Sequence, residues 1–396
     1  MSEHNWSKKY QKALRLVQLL ALIFFFPLNT RASFSTKIVE KNIIFSAPLM
    51  VRWQFGSKNT ISISPASNNA HIYLPLASGE IVSLMVSDGK LLWKTEIGGN
   101  FSASPIADDR GVYLASQTVD AVDAQQQGLR STGAIRALSQ NTGITLWMRT
   151  LHFPIQGRLA ASTSKLFGGS RDGRVYAFDK STGDILWFVQ HTSAFSSSPT
   201  IHNQRVYIGS EDGTLLSLDE STGKILWRYR TPKAIYGNIS VAENVIFFGS
   251  TDGYVYAFSE ISGRLLWRRR TGAAVQAVMS TSNGVLVTSL DNFVYLLSTR
   301  GELLWKRQLA GRIAATPLTD ARNALFAPLG GDACIVLSLR DGKQVNTLPV
   351  GEDGNTSASP LVAGNLLLIP TRQGLVAFAP SAPDGNQEKT AAPSIR

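Results

Sequence analysis

The sequence predicts an all-β fold, an eight-bladed β-propeller of four-stranded antiparallel blades, and three observations carry that expectation. First, Gly169–Gln190 (GSRDGRVYAFDKSTGDILWFVQ), Gly209–Arg230 (GSEDGTLLSLDESTGKILWRYR) and Gly249–Arg270 (GSTDGYVYAFSEISGRLLWRRR) are near copies set forty residues apart. Second, tryptophan falls once per period, at Trp53, Trp93, Trp147, Trp187, Trp227, Trp267 and Trp305, and every Trp except Trp6 belongs to this column. Its last position is Asn346, where Asp341-Gly342 keeps the turn and the aromatic is lost. Third, each period holds four strand-like segments separated by turn residues. Units of about forty residues with four short strands each are propeller blades.

The 194–230 unit shows how each blade is read. Its segments are Ala194–Ile201, Arg205–Ser210, Thr214–Asp219 and Lys224–Arg230. Glu211-Asp212-Gly213 and Glu220-Ser221-Thr222-Gly223 join the last three, because Gly tolerates the positive φ that tight hairpins need. Val, Ile, Leu, Tyr and Phe dominate the strands, as a half-buried pleated surface prefers. Ten residues before each second-strand Gly or its equivalent runs a first-strand column: Pro65, Pro105, Leu159, Pro199, Ile239, Val278, Pro317 and Pro360.

The ends of the array are offset. The Trp53 strand, Leu49–Phe55, precedes any full blade, whereas the last unit, about 355–380, stops after its third strand, Leu375–Ala379. The N-terminal strand is therefore expected to complete the last blade and close the ring, which removes exposed end repeats. The alternative is seven blades, if the weak 312–349 unit is not a full one. The spacing of 54 between Trp93 and Trp147 places a polar insertion at Ser116–Thr132, between the second and third strands of blade two. Loops of that length are often functional, and a tolerated surface insertion is the equal alternative.

Outside the propeller (49–380), residues 1–32 suit a secretory signal peptide. Lys8, Lys9, Lys12 and Arg15 precede the apolar Leu16–Leu28, and small residues follow at Thr30 and Ala32, a pattern that implies cleavage after Ala32. The apolar run is short for a membrane span of roughly 20 residues, so an uncleaved anchor is the lesser alternative. Residues 33–48 read as a linker and 381–396 as a disordered Pro/Ala-rich tail. A periplasmic or secreted protein follows, with no lipid anchor because no Cys follows the apolar segment. The only cysteine, Cys334, lies in an apolar run and reads as a buried thiol. Net charge is +11, and without residues 1–32 it is 34 basic against 27 acidic groups, +7. That favours anionic surfaces without implying nucleic acid.

Chemistry-bearing residues are few. Asp172, Asp212 and Asp252 recur in blade after blade and read as structural, and His71, His152, His191 and His202 show no metal-ligand spacing. No catalytic residue, no metal site and no phosphate loop is expected. On the innermost strands, the position before the Pro column holds Ser64, Ser104, Arg158, Ser198, Asn238, Ala277, Thr316 and Ser359. Three before that column stand Ser62, Ser102, Gln156, Ser196, Tyr236, Val275, Ala314 and Ser357. Alternation puts both rows on one strand face. Gln156, Arg158, Tyr236 and Asn238 are the long side chains among small ones, a candidate channel-mouth site for a small polar or anionic ligand, or else side chains that plug the channel. After the Trp column, Arg228, Arg230, Arg268, Arg269, Arg270, Lys306 and Arg307 form a basic belt on three successive outermost strands. Edge charges block unwanted strand pairing. The belt also suits an acidic protein or anionic lipid.

The blades resemble those of quinoprotein-type (PQQ-like) propellers, whose motif Ala-x-Asp-x-x-x-Gly-x-x-x-Trp stands here as Ala177-Phe178-Asp179, Gly183 and Trp187. It recurs with Ser217, Asp219, Gly223 and Trp227, and with Ala257, Ser259, Gly263 and Trp267. A small residue ten positions before the Trp gives the indole room to dock between neighbouring blades. The resemblance covers about 49–380. It implies either PQQ-dependent dehydrogenase activity with calcium or, as in the BamB-like group, a scaffold in outer-membrane protein assembly. Dehydrogenases of this type are longer and typically carry a vicinal Cys-Cys disulfide, which one cysteine cannot form. The lipid-accepting Cys of BamB is also missing. The expectation is a monomeric, non-catalytic, BamB-like interaction scaffold in the periplasm, without a cofactor. PQQ binding or dehydrogenation is the alternative, and a channel for carbohydrate or peptide a third reading.

Overall fold

The structure is a computed structural model that describes residues 43–58, 60–118, 132–352 and 354–381. The expected signal peptide, most of the expected linker, insertion residues 119–131 and the tail from 382 lie outside the described residues. All described regular structure is β, in eight four-stranded antiparallel units. No helix among the described residues is long and apolar enough to cross a membrane.

Blade one comprises Ala66–Ser67, His71–Pro75, Glu80–Met85 and Leu91–Glu96, and blade two Asn100–Ala107, Val112–Gln117, Gly133–Leu138 and Thr145–Leu151. Blade three is Ile155–Ala161, Lys165–Ser170, Arg174–Asp179 and Ile185–Gln190, and blade four Thr200–His202, Arg205–Gly209, Thr214–Asp219 and Ile225–Arg230. Blade five is Ser240–Ala242, Val245–Gly249, Tyr254–Ser259 and Leu265–Arg270, and blade six Val275–Thr281, Gly284–Ser289, Phe293–Leu297 and Leu303–Gln308. The weak seventh unit is a full blade, Leu318–Thr319, Asn323–Phe326, Ala333–Ser338 and Gln344–Pro349. Blade eight takes Leu361–Ala363, Leu366–Thr371 and Gly374–Pro380 from one end of the chain and Leu49–Gly56 from the other. Leu49 lies opposite Pro380 and Gly56 opposite Gly374, so the N-terminal strand closes the last blade as expected.

Second and third strands are nearly continuously buried, because each blade packs on both faces. The core is correspondingly divided into eight apolar clusters, each shared by two consecutive blades. Phe167 and Val175 of blade three meet Phe195, Val206 and Ile208 of blade four. The series ends where Leu368 and Leu375 of blade eight meet Ile72 and Leu74 of blade one. The first strand of blade four, Thr200–His202, is shorter than the expected Ala194–Ile201. Pro199 has no N–H to donate, and Ser197 Oγ takes over the neighbouring ladder, accepting from Gly209 N–H at 2.7 Å and donating to Gly209 O at 2.9 Å.

The Trp column stitches blade to blade. Each indole Nε1 donates to a backbone carbonyl of the following blade, from Trp93 to Gln140 at 2.7 Å through Trp187 to Glu220 at 3.1 Å to Trp227 and Glu260 at 3.2 Å. Trp53, Trp147, Trp267 and Trp305 bond in the same way to Val86, Lys180, Thr299 and Leu339. Two small residues make room. Ala177 pairs across the strands with Trp187, as the motif suggests. The closer contact is with the motif glycine of the next blade: a Cβ on Gly183, whose φ is +75°, would lie 2.4 Å from Trp147 Cε3.

The segment before the first strand is more than a linker. Ile43 and Phe45 are buried, 4% and 1% exposed, in the cluster between blades seven and eight. Asn346, at the position that lacks its Trp, donates from Nδ2 to Phe45 O at 2.8 Å and Ala47 O at 2.9 Å.

Candidate functional site

The repeat dictates where chemistry can sit. Second and third strands are consumed by packing, which leaves the innermost strands around the axis and the outermost strands at the rim.

Around the axis, hydroxyls and amides tie neighbouring blades. Thr316 N–H donates to Ser359 Oγ at 3.0 Å, and Ser359 N–H to Ser64 Oγ at 2.9 Å. Asn238 belongs to this stitching. Its Nδ2 donates to Val278 O at 2.7 Å and its Oδ1 accepts from Val278 N–H at 3.3 Å, so its amide stands in for a ladder pair and is not free for a ligand. The Asn238–Val278 pair also corrects the register of blade six. Val275 and Ala277 were expected to face the axis, yet both are buried in the blade core, 4% and 6% exposed. A bulge between them shifts the strand, and the axial residue is Gln276, forty residues after Tyr236.

The other three expected site residues do reach solvent at the axis. Tyr236 is exposed, and no hydrogen bond to its hydroxyl is found among the described residues. Gln156 is half-buried, and the Oε1 end of its amide lies 2.8 Å from Ser196 Oγ. Ser196 Oγ is also 2.5 Å from Glu211 Oε1. Arg158 pairs its backbone with Ser104 of blade two, the parallel link that joins the two sheets. Its guanidinium has no ion pair or hydrogen bond among the described residues. Its surface reaches solvent, while the protein around it lowers its pKa through desolvation. A side chain in a narrow lumen shows both properties.

Histidine and carboxylate contacts are inter-blade ties. His202 Nδ1 lies 2.7 Å from Glu260 Oε1 of blade five, and that buried carboxylate also accepts from Tyr207 Oη at 3.1 Å and Asn203 Nδ2 at 3.2 Å. His191 Nε2 lies 3.2 Å from Asp212 Oδ1. Burial would raise the Asp212 carboxyl, but bonds from Ser210, Thr214 and His191 outweigh it and hold the pKa below its ordinary value. Asp172 and Asp252, like Asp212, accept turn N–H groups, from Arg174 and Tyr254. Among the described residues no three His, Cys, Asp or Glu side chains are placed to hold a metal ion.

At the rim, each outermost strand ends its sheet. Five of the seven Trp residues in the column follow an aliphatic pair, and each pair is exposed: Leu91-Leu92, Ile185-Leu186, Ile225-Leu226, Leu265-Leu266 and Leu303-Leu304. Blades two and three add Leu146, Met148 and Phe188, at 58%, 55% and 54% exposure. Blades four to six carry the basic belt. Arg228 and Arg270 are exposed without a partner among the described residues. Arg268 lies over the Tyr254 ring at 5.1 Å and Lys306 over Phe293 at 5.2 Å, contacts that prop both cations outward. Arg230 reaches Asp212 at 3.6 Å. Arg269 and Arg307 turn inward instead, donating to Gly301 O at 3.1 Å and Gly342 O at 2.9 Å, where they brace the Trp-docking turns.

The model of one protein family, described as outer membrane protein assembly factor BamB, matches residues 50–130, 131–242 and 231–395. Among solved structures, BamB from Moraxella catarrhalis superposes with a TM-score of 0.68 at 18% identity, over 84% of this chain and 97% of that one. The computationally designed Ika8 protein gives 0.69 at 18% identity, over 84% and 99%. Quinohemoprotein alcohol dehydrogenase ADHIIG from Pseudomonas putida HK5 gives 0.67 at 11% identity, over 90% and 79%. At such identities the likeness shows the fold alone. No curated protein sequence matches the chain.

Proposed function

Because the chain belongs to the family of outer membrane protein assembly factor BamB, we propose that it is a non-catalytic scaffold of the bacterial periplasm that docks protein partners in outer-membrane or envelope assembly. One observation carries this reading: the rim joins unpaired edge strands, exposed aliphatic pairs and propped cations. Monomeric proteins protect free edges with charge, and an edge that exposes aliphatics is open to a partner. Blades two and three offer the apolar sector, and blades four to six the sector suited to acidic protein.

Quinone chemistry, which the same fold also serves, gets no such support. The two axial rows offer hydroxyls, amides, a phenol and a guanidinium, whereas calcium takes mainly carboxylate and carbonyl oxygens. Cys334 is buried, its Sγ donates to Asn355 Oδ1 at 3.3 Å, and desolvation pushes its thiol up to about 12. These residues do not fit a calcium–quinone pair beneath a vicinal disulfide.

Photo-crosslinking in the native host tests the reading, with the reactive residue placed at Leu146, Phe188 or Arg268. Crosslinks to envelope-assembly proteins from these rim positions are expected. Crosslinks that arise only from control positions away from the rim, such as Asn68 or Asn283, would overturn it.

A further inference from the structure

The lumen holds a feature that docking at the rim does not use. Blades one and eight present only small side chains to the axis, such as Ser62 and Ser357, whereas blades three, five and six present Gln156, Arg158, Tyr236 and Gln276. The long side chains are donor-rich. Ser196 Oγ has one proton for the Glu211 carboxylate and the Gln156 amide together, so Gln156 keeps at least one amide N–H without a partner among the described residues, and neither the Tyr236 hydroxyl nor the Gln276 amide has a side-chain partner there. Arg158 supplies the only charge of the two axial rows and has no counter-ion among the described residues. Glu211 is bound into these rows through Ser196 and forms no ion pair with Arg158. Structural plugs look different: Asn238 uses both ends of its amide on Val278. A lone guanidinium on the same axial rows as neutral donors matches a planar or tetrahedral oxyanion, to which guanidinium binds in two-pronged fashion.

We infer that the lumen binds one small oxyanion, a carboxylate or phosphate, with Arg158 as its charge partner and Gln156, Tyr236 and Gln276 as neutral donors. Such an anion has two sources, a free ion or the C-terminal carboxylate of a polypeptide, and the chemistry of recognition is shared.

Calorimetric titration of the full chain, in chloride-balanced buffer, tests the site with three probes: inorganic phosphate, succinate, and a short neutral peptide with its C-terminus free or amidated. Saturable one-to-one binding of at least one probe is expected. Arg158→Gln should weaken it about tenfold or more, the loss expected for charge-assisted hydrogen bonds, with an unchanged melting temperature because the side chain is not part of any packing core. Tyr236→Phe should weaken it severalfold. Binding of phosphate and succinate alone identifies a free ion, and preference for the free over the amidated peptide identifies a chain terminus. No saturable binding of any probe, or equal binding by Arg158→Gln, overturns the site. Arg268→Glu at the rim should leave anion binding intact, so the site and the scaffold reading fail separately.

Discussion

Asn346 Nδ2 lies 2.8 Å from the carbonyl oxygen of Phe45, across a sequence separation of 301 residues. Seven blades end in a Trp that reaches the turn of the next blade, and this one ends in an amide that reaches the segment leading into the first strand. Blade eight has no turn between its third and fourth strands, because the chain's two ends meet there. Ile43–Pro48 fills that place, with Phe45 buried beneath it, and Phe45 N–H donates to Asp320 Oδ2 at 2.8 Å. The missing Trp is thus a fitted exception at the ring's closure.

Restoring the repeat at that position should therefore harm the protein. Asn346→Trp is expected to destabilise it by about 1–3 kcal/mol, since the added volume meets an occupied site. Phe45→Ala should cost about 3 kcal/mol or more as a buried aromatic truncation. Urea unfolding measures both, and a more stable Asn346→Trp protein would contradict the fitted closure.

The docking glycines give a second test. Gly183→Ala places a methyl against Trp147 at φ +75°, and overpacking and backbone strain together should cost about 2–4 kcal/mol. Gly56→Ala has nothing within 4 Å of the new methyl and should be nearly neutral. Equal melting temperatures for the two would refute the docking geometry.

How far the sequence reaches depends on what repeats. The Trp column, the hairpin turns and the strand that closes blade eight were legible because each repeats or completes a period. Gln276 was not, because the 38-residue spacing from Trp267 to Trp305 leaves the bulge position open and a one-residue slip reverses every side chain. The short run Ile43-Ile44-Phe45 has no period and lies outside the array. Nor could sequence tell Asn238, consumed by Val278, from Arg158, left free, since both pairings cross between blades.

Asn238 should behave as a structural residue. Asn238→Ala leaves the backbone groups of Val278 unpaired and should cost about 1–2 kcal/mol, whereas Tyr236→Ala, at an exposed position, should change stability little. Thermal unfolding that ranked the two in the opposite order would count against the stitching at Val278.

Acid stability should report the turns that receive the indoles. Asp219 Oδ1 accepts from Ser221 Oγ at 2.6 Å and from Thr222 Oγ1 at 2.7 Å, and these bonds, that from Ser221 foremost, lower its pKa to about 2 from an ordinary 3.8. A folded value below the unfolded one means that ionised Asp219 stabilises the fold above 3.8, and that the contribution fades as pH falls toward about 2. Asp219→Asn should melt below wild type at pH 7, with the gap closing across that acid window. A gap that stayed constant would exclude ionisation as its source.

Complementation in the native host tests the proposed role most directly. A strain lacking the protein is supplied with the wild type or with a rim variant combining Leu146→Glu, Arg228→Glu, Arg268→Glu and Lys306→Glu, and folded outer-membrane barrels are quantified by heat-modifiable mobility. The wild type should restore their level and the folded rim variant should not. Full restoration by the variant would contradict docking at the rim.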